Sequence, residues 1–459
     1  MSSFPPPGDE VGRNRSPSPG LTTKRIVNTW WPLAASWLLM AVELPTLSAV
    51  VARLPHPETH LAAWGGVVFP LALIVESPVI MLLAASTALS RDWATYRQLQ
   101  RYMMRLGATL TVVHILLAFT PLYDLLVVRL LGVPAPIVEP ARLGLRIMTP
   151  WTWAIAYRRF QQGVLIRFGH SRAVGMGTMV RLTADGLALM IGYSVGTVPG
   201  IVVAASAVAS GVVSEAVYAG LRVRPVLREQ VMAAKANGAP ITLRSFLDFY
   251  VPLAMTSLLT LILQPMGSAA ISRMPEALRS LAAWPVVSGL VFMLRSPGVA
   301  FNEVVVALLD EAGAVPKLRR FALMLAALSS MLLVLVAATP LAEFWFGRVT
   351  ALSPSLVQLA SASLWFALPL PALGVAQSWF QGYLVHARRT RAITESVVLF
   401  LISSSVLLLI GVAWAPLPGI HVGWAALSLG TAIQVAFLSL RARPVSPVGA
   451  EHPLVAKGS

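Results

Sequence analysis

The chain has 459 residues, 56% of them hydrophobic and 12% charged, with a net charge of +16 and no cysteine. A soluble chain carries about 25% charged residues, so this composition excludes a soluble globular protein. The missing thiols exclude disulfides, thiolate metal sites and cysteine redox chemistry. Apolar stretches of about 18 residues or more recur, each long enough to cross a hydrocarbon core of about 30 Å. They are too long for barrel strands, so the expected fold is all-α, a membrane bundle whose backbone satisfies its own hydrogen bonds.

Residues 1–24 are polar and rich in Pro and Ser, with no apolar segment of the signal-peptide type, and read as a disordered tail. About twelve transmembrane helices follow. Those of the N-lobe (25–221) are expected near 28–52, 62–89, 103–120, 143–164, 173–194 and 198–220. Residues 222–246 form a basic linker between lobes. Its Ala233-Ala234-Lys235-Ala236 suits an amphipathic surface helix, ended by Asn237-Gly238. The C-lobe (247–443) is expected to span near 247–271, 282–309, 320–338, 358–384, 391–413 and 419–440, before a second disordered tail, 444–459. Pro45, Pro70, Pro78, Pro265, Pro297, Pro369 and Pro371 fall inside spans and predict kinks.

Basic residues gather in alternate loops, such as Arg97, Arg101 and Arg105, Arg167 and Arg172, and Arg388, Arg389 and Arg391; the intervening loops hold few. This positive-inside pattern predicts a multi-pass protein of the cell (inner) membrane with both termini in the cytoplasm. It also accounts for most of the net charge without nucleic acid.

The two halves repeat each other. At an offset of 219 or 220 residues, Pro32, Pro45, Arg53 and Pro55 land on Pro252, Pro265, Arg273 and Pro275. Leu61-Ala62-Ala63-Trp64 lands on Leu281-Ala282-Ala283-Trp284, Ser77-Pro78 on Ser296-Pro297, and Pro199-Gly200-Ile201 on Pro418-Gly419-Ile420. Six helices per half is an even number, so both halves run the same way across the membrane. A parallel pseudo-two-fold repeat follows, of the kind that places a substrate site between halves.

Beside this architecture stands a phrase after the third helix, Pro121-Leu122-Tyr123-Asp124 and then Leu130-Leu131-Gly132-Val133-Pro134. Together they resemble the multidrug/oligosaccharidyl-lipid/polysaccharide (MOP) flippase superfamily, which includes the MATE transporters. Trp30-Trp31-Pro32-Leu33-Ala34, Phe249-Tyr250-Val251-Pro252-Leu253-Ala254, Pro265 and Ser272-Arg273 look most like the progressive ankylosis protein family. The resemblance implies a V-shaped transporter with a central cavity lined by its first, second, seventh and eighth helices. It also implies export of small anions such as citrate, a nucleotide or pyrophosphate.

A charge in the membrane core is costly and marks a candidate site. Within spans lie Glu43, Glu76, Arg181, Asp185, Glu215, Arg295 and Glu303; Arg146, Arg158 and Arg159 read as nearer helix ends. Glu76 and Arg295 are repeat mates, each preceding Ser-Pro. Facing one another across the cleft, they would pair when it shuts and part when substrate enters. Arg295 would then bind an anionic group, which a guanidinium does bidentately, and Glu76 would gate or carry a proton. The plainer alternative is a static salt bridge. Gln264 and Asn302 are polar substrate-binding candidates, although such groups also serve as inter-helix glue.

Glu43, two residues before Pro45, suits coupling to a proton or sodium gradient. Arg181 and Asp185 lie four apart on one helix face and read as a self-neutralising pair. The drug-extruding relatives keep Asp185 in view as a coupling-ion ligand, although the adjacent Arg181 weakens that reading. Arg181 and Glu303 are gate or supporting candidates, and Glu215 reads as structural near the end of the sixth helix.

No histidine pair has metal-ligand spacing on a helix, no Gly-Lys-Ser/Thr nucleotide loop is present, and no nucleophile–base set stands out. The expectation is therefore a monomeric secondary transporter, not an enzyme, with no cofactor beyond a coupling H+ or Na+. Its partners are membrane lipid and a small, anionic substrate. The alternatives are a cation-coupled multidrug antiporter for organic cations and a lipid-linked saccharide flippase.

Overall fold

The computed structural model describes residues 21–234, 241–387, 389–414 and 417–442. Most of both expected tails, and the core of the expected linker helix, lie outside the described residues. The described chain forms twelve helical spans and no strand. In the first half these are α1 Thr23–Val51, α2 Pro57–Leu89, α3 Trp93–Phe119, α4 (Ala135–Ile147 continued by Thr149–Arg167), α5 Ser171–Val195 and α6 Gly200–Val231. In the second half they are α7 Leu243–Ile271, α8 Ala277–Leu308, α9 Ala314–Ala338, α10 Pro354–His386, α11 Arg391–Trp414 and α12 Gly419–Arg441. Eleven of them are long and apolar enough to cross a membrane. The exception is α4, whose second segment carries Arg158, Arg159, Gln161 and Gln162.

The repeat read from the sequence is a repeat of backbone geometry. Pro45 has no N–H for the carbonyl four residues back, and α1 breaks at Val42; Pro265 breaks α7 at Ile262. His56 and its mate Glu276 both adopt left-handed backbone at φ 52°. So do Gly132 at 66° and its mate Ala351 at 54°, where the second half tolerates a Cβ in a region that favours glycine. The phrase after α3 becomes a short helix, Leu122–Asp124, and a wider π turn, Leu125–Leu130; Leu341–Glu343 and Phe344–Val349 repeat it after α9.

The breaks in α1 and α7 mark a crossing of the two halves. Leu21, just before α1, and Ile26 of its first segment are buried in a cluster with Phe301, Val305, Leu318 and Leu325 of the second half. The segment after the break returns Leu47 and Val51 to the core of its own half. Conversely, Phe246 and Tyr250 of α7 join the first half's core, while Leu263 and Ala270 pack with Leu408 and Ala426. Two hydrogen bonds hold the exchange. The Trp30 indole donates to the Pro297 carbonyl at 2.9 Å, and its mate, the Tyr250 hydroxyl, donates to the Pro78 carbonyl.

Beside each proline a serine repairs the ladder. Ser77 Oγ donates to Ile74 O at 2.8 Å and Ser296 Oγ to Met293 O at 2.9 Å, the carbonyls that proline leaves free.

At the end away from the termini, α2 and α8 lie against each other. Gly65 sits under its own repeat mate, Pro285: a Cβ there would fall 2.6 Å from the ring. Two arginines fasten that end. Arg53 Nη2 donates to the Arg348 and Val349 carbonyls at 2.9 and 3.0 Å, and Arg273 donates to Leu131 and Leu130 at 2.8 and 2.5 Å.

Two expectations change. Residues 21–24 are not tail: Leu21 is 1% exposed and its N–H donates to Ala312 O at 3.2 Å, while Thr22 caps α1 through Arg25 N. Glu215 is not near the end of its helix but deep within α6, which runs on to Val231.

Candidate substrate cavity

The charged residues of the first half converge on a cavity of about 210 Å³ lined by Glu43 (α1), Glu76 (α2), Arg158 and Arg159 (α4) and Arg181 (α5). Behind it, Glu215 of α6 is 2% exposed and holds Arg158; its other oxygen accepts from Gln162 Nε2 at 2.8 Å. Arg181 Nη2 meets Glu43 Oε2 at 2.5 Å and its Nε lies 3.8 Å from Glu215. Buried ions need partners, because removing one strands the other, and these four pair among themselves, although Arg158 Nε and Arg181 Nε make no hydrogen bond among the described residues. Three groups stand outside these pairs. Glu76 is 4% exposed with Oε2 unpartnered, Arg159 has its Nε unpartnered, and both oxygens of Asp185 are buried without a partner among the described residues. Asp185 lies in a notch of α6, where a Cβ on Gly211 would come 1.6 Å from Oδ1.

Arg295 occupies a different environment. It lines a cavity of about 400 Å³ between the halves, with Leu44, Trp64 and Phe69 of the first half and Gln264, Trp284 and Trp424 of the second. It also lines a chamber of about 190 Å³ within the second half, with Thr260, Gln264, Phe400 and Ser404. Its Nε is buried with no hydrogen-bond partner among the described residues, and no carboxylate lines either space. Leu44, Trp64, Phe69 and Phe292 border both the central cavity and the charged cavity of the first half. The three spaces thus follow one another through the molecule.

The structure regroups the expected residues. Glu76 and Arg295 do not face each other. α2 and α8 touch over residues 57–68 of α2, and Glu76 lies about 12 Å further along at 1.5 Å per residue. There each helix is covered by the other half's first helix, at Pro78 and Pro297. Arg181 and Asp185 are not a pair, since Arg181 turns to Glu43. Glu303 is exposed and lines none of these cavities. Asn302 ties α8 to α10 by donating to Ser378 O at 3.2 Å, which makes it inter-helix glue. Gln264 does share Arg295's cavities. The sequence reading passed over Arg158 and Arg159 as near a helix end. The low hydropathy of α4 relative to every other span was the signal for them.

No protein-family profile matches the chain, and no curated protein matches it in sequence. Solved structures do. An inward-facing multidrug resistance MATE transporter of the MOP superfamily aligns at 16% identity and TM-score 0.62, over 91% of this chain and 94% of that one. The lipid II flippase MurJ in an inward closed conformation aligns at 14% and 0.66, over 89% and 87%. A MOP superfamily transporter from Pyrococcus furiosus, described as having a binding pocket of reverse polarity, aligns at 16% and 0.59, over 92% and 98%. The chain has the fold of MATE transporters and MurJ. Those neighbours are transporters, not enzymes.

Proposed function

We propose that the chain is a secondary active transporter of the MOP type. It carries a small anionic metabolite by alternating access between its two halves. The observation that supports this is Arg295: a guanidinium in a cavity between the halves, with no carboxylate lining that space. An unneutralised buried cation is costly unless a ligand supplies the opposite charge. Its fork of donors suits a carboxylate or phosphate.

With the termini in the cytoplasm, as the distribution of basic residues supports, the end fastened by Arg53 and Arg273 is the external one. Asp185 and Glu76 are the carboxylates free to carry a coupling proton or sodium ion, and the Glu43–Arg181 pair lies beside them. The kinship with the progressive ankylosis family belongs to the same proposal, as do a monomeric state and an inner-membrane location.

The test is uptake of labelled anions (citrate, a nucleotide, pyrophosphate, an organic acid) into proteoliposomes. Arg295→Gln should abolish transport while thermal stability in the absence of ligand is kept. Undiminished transport by that variant would remove the proposal's support. A second reading, cation-coupled export of organic cations, is favoured by the unpartnered Asp185 and Glu76 and by the aromatic walls of the central cavity. It predicts that Arg295→Gln leaves transport of a cationic dye intact and that Asp185→Asn stops it.

A further inference from the structure

Resting on the reading of Arg295 as an anion-binding residue, we infer that the substrate is an amphipathic monoanion. One carboxylate-type group is seated in the second half, and a planar apolar body lies between aromatic walls.

Charge sets the first constraint. Arg295 is the sole charged residue lining either the central cavity or the chamber beside it. A citrate or pyrophosphate ion entering there would have one of its charges met and the rest desolvated without partners. The arginines of the first half do not line either space: Arg158 and Arg181 are already held by Glu215 and Glu43, and Arg159 lies with the unpaired Glu76 in the separate charged cavity. One guanidinium balances one negative charge.

Unpartnered donors stand in these walls. Besides Arg295 Nε, the Trp424 indole N–H, on a residue 4% exposed, has no hydrogen-bond partner among the described residues; the Ser404 hydroxyl is also unpartnered but is packed against Gly430 of α12, where a Cβ would fall 2.1 Å from its oxygen. A buried donor left without an acceptor is expensive, and a carboxylate accepting from Arg295 and the Trp424 indole recovers that cost. Gln264, exposed to both spaces, adds an amide at their junction. Arg295, Gln264 and Trp424 all come from the second half, on α8, α7 and α12, so the anion is gripped by one half alone.

The walls set the apolar part. Trp64, Phe69, Trp284, Phe292 and Trp424 line the central cavity, and Trp284 and Trp424 stack at 4.8 Å and 24°. Gly423 permits the stack, since a Cβ there would fall 2.8 Å from the Trp284 ring. Flat aromatic faces bind planar apolar bodies and gain nothing from a hydrated polyanion.

Binding to the purified, full-length protein tests this, by thermal shift and tryptophan fluorescence, with 2-naphthoate, citrate, pyrophosphate and a naphthylmethyl trimethylammonium ion as probes. Expected is saturable binding of naphthoate. Arg295→Gln should weaken it by more than about ten-fold, and Trp424→Phe, which keeps the ring and loses the N–H, by about five- to ten-fold. Citrate and pyrophosphate should bind at least ten-fold more weakly than naphthoate. Unliganded melting temperature and elution volume show that each variant is folded, and Arg295→Lys keeps the charge if Arg295→Gln does not fold. Citrate or pyrophosphate binding through Arg295 with naphthoate inert would overturn the monoanion inference and leave the anion-transporter reading standing. Preference for the ammonium probe, unaffected at Arg295, would overturn both. No binding of naphthoate would overturn the inference as well.

Discussion

Arg158 and Arg295 are both arginines inside a membrane bundle, and their surroundings give them opposite roles. Arg158 is consumed by Glu215, and both are nearly fully buried. Breaking such a pair strands a charge at about 3–5 kcal/mol, whereas replacing both partners by apolar groups is often near neutral. Arg158→Met should therefore lower the melting temperature sharply, and adding Glu215→Leu should restore much of the loss. A double variant no more stable than the single one would show that the two are not each other's partners. Sequence reasoning singled out Arg295 as a mid-span charge before Ser-Pro and Gln264 as a polar residue in a span, and the structure brings the two to the same cavities. It misread Arg158 because α4 breaks at Met148 and its second segment, Thr149–Arg167, runs past the expected end at 164, so that a residue read as near the end becomes the middle of a segment. The partner of Arg181 was equally out of reach. Helical spacing names neighbours on one helix, Asp185 here, but the contact that forms is with Glu43 on another.

Among the elements, the prolines were the most legible feature, because a missing N–H acts locally and fixes where α1 and α7 break. What lies beyond each break, a first segment seated on the opposite half, depends on packing partners more than 200 residues away and leaves no local signal. The paired arginines at the end away from the termini belong to this scale too. Arg53 and Arg273 each bind carbonyls that end the π turn of the opposite half, where helix termination leaves acceptors free. They act as matched clasps, and loss of both should release that end. The chain has no cysteine, so Glu58→Cys and Ser353→Cys, placed where those side chains meet at 3.0 Å, give a clean reporter. Cross-linking of this pair should fall when Arg53→Ala and Arg273→Ala are added. Unchanged cross-linking would show that the clasps do not hold that end.

At the scale of the molecule, the duplication read from the sequence sets the backbone, and the departures from it set the chemistry. One half gathers seven ionisable groups around α4 and α5, while the other offers one guanidinium among aromatic rings. The same near-symmetry has a consequence for how the chain is made. Tyr250 of α7 finds the Pro78 carbonyl already synthesised. Trp30 of α1 must wait for Pro297, 267 residues later. At about 5–20 residues per second this is a delay of roughly 13 to 50 s. For that interval the first segment of α1 is in the membrane without its seat, and nascent chains arrested before Pro297 should leave Trp30 more open to a lipid-borne quencher than it is, half-buried, in the finished protein. Two contacts that look equivalent in the folded protein are thus separated in its biogenesis. The first helix out of the ribosome is among the last to dock, and the protein's most exposed moment comes while its second half is still being made.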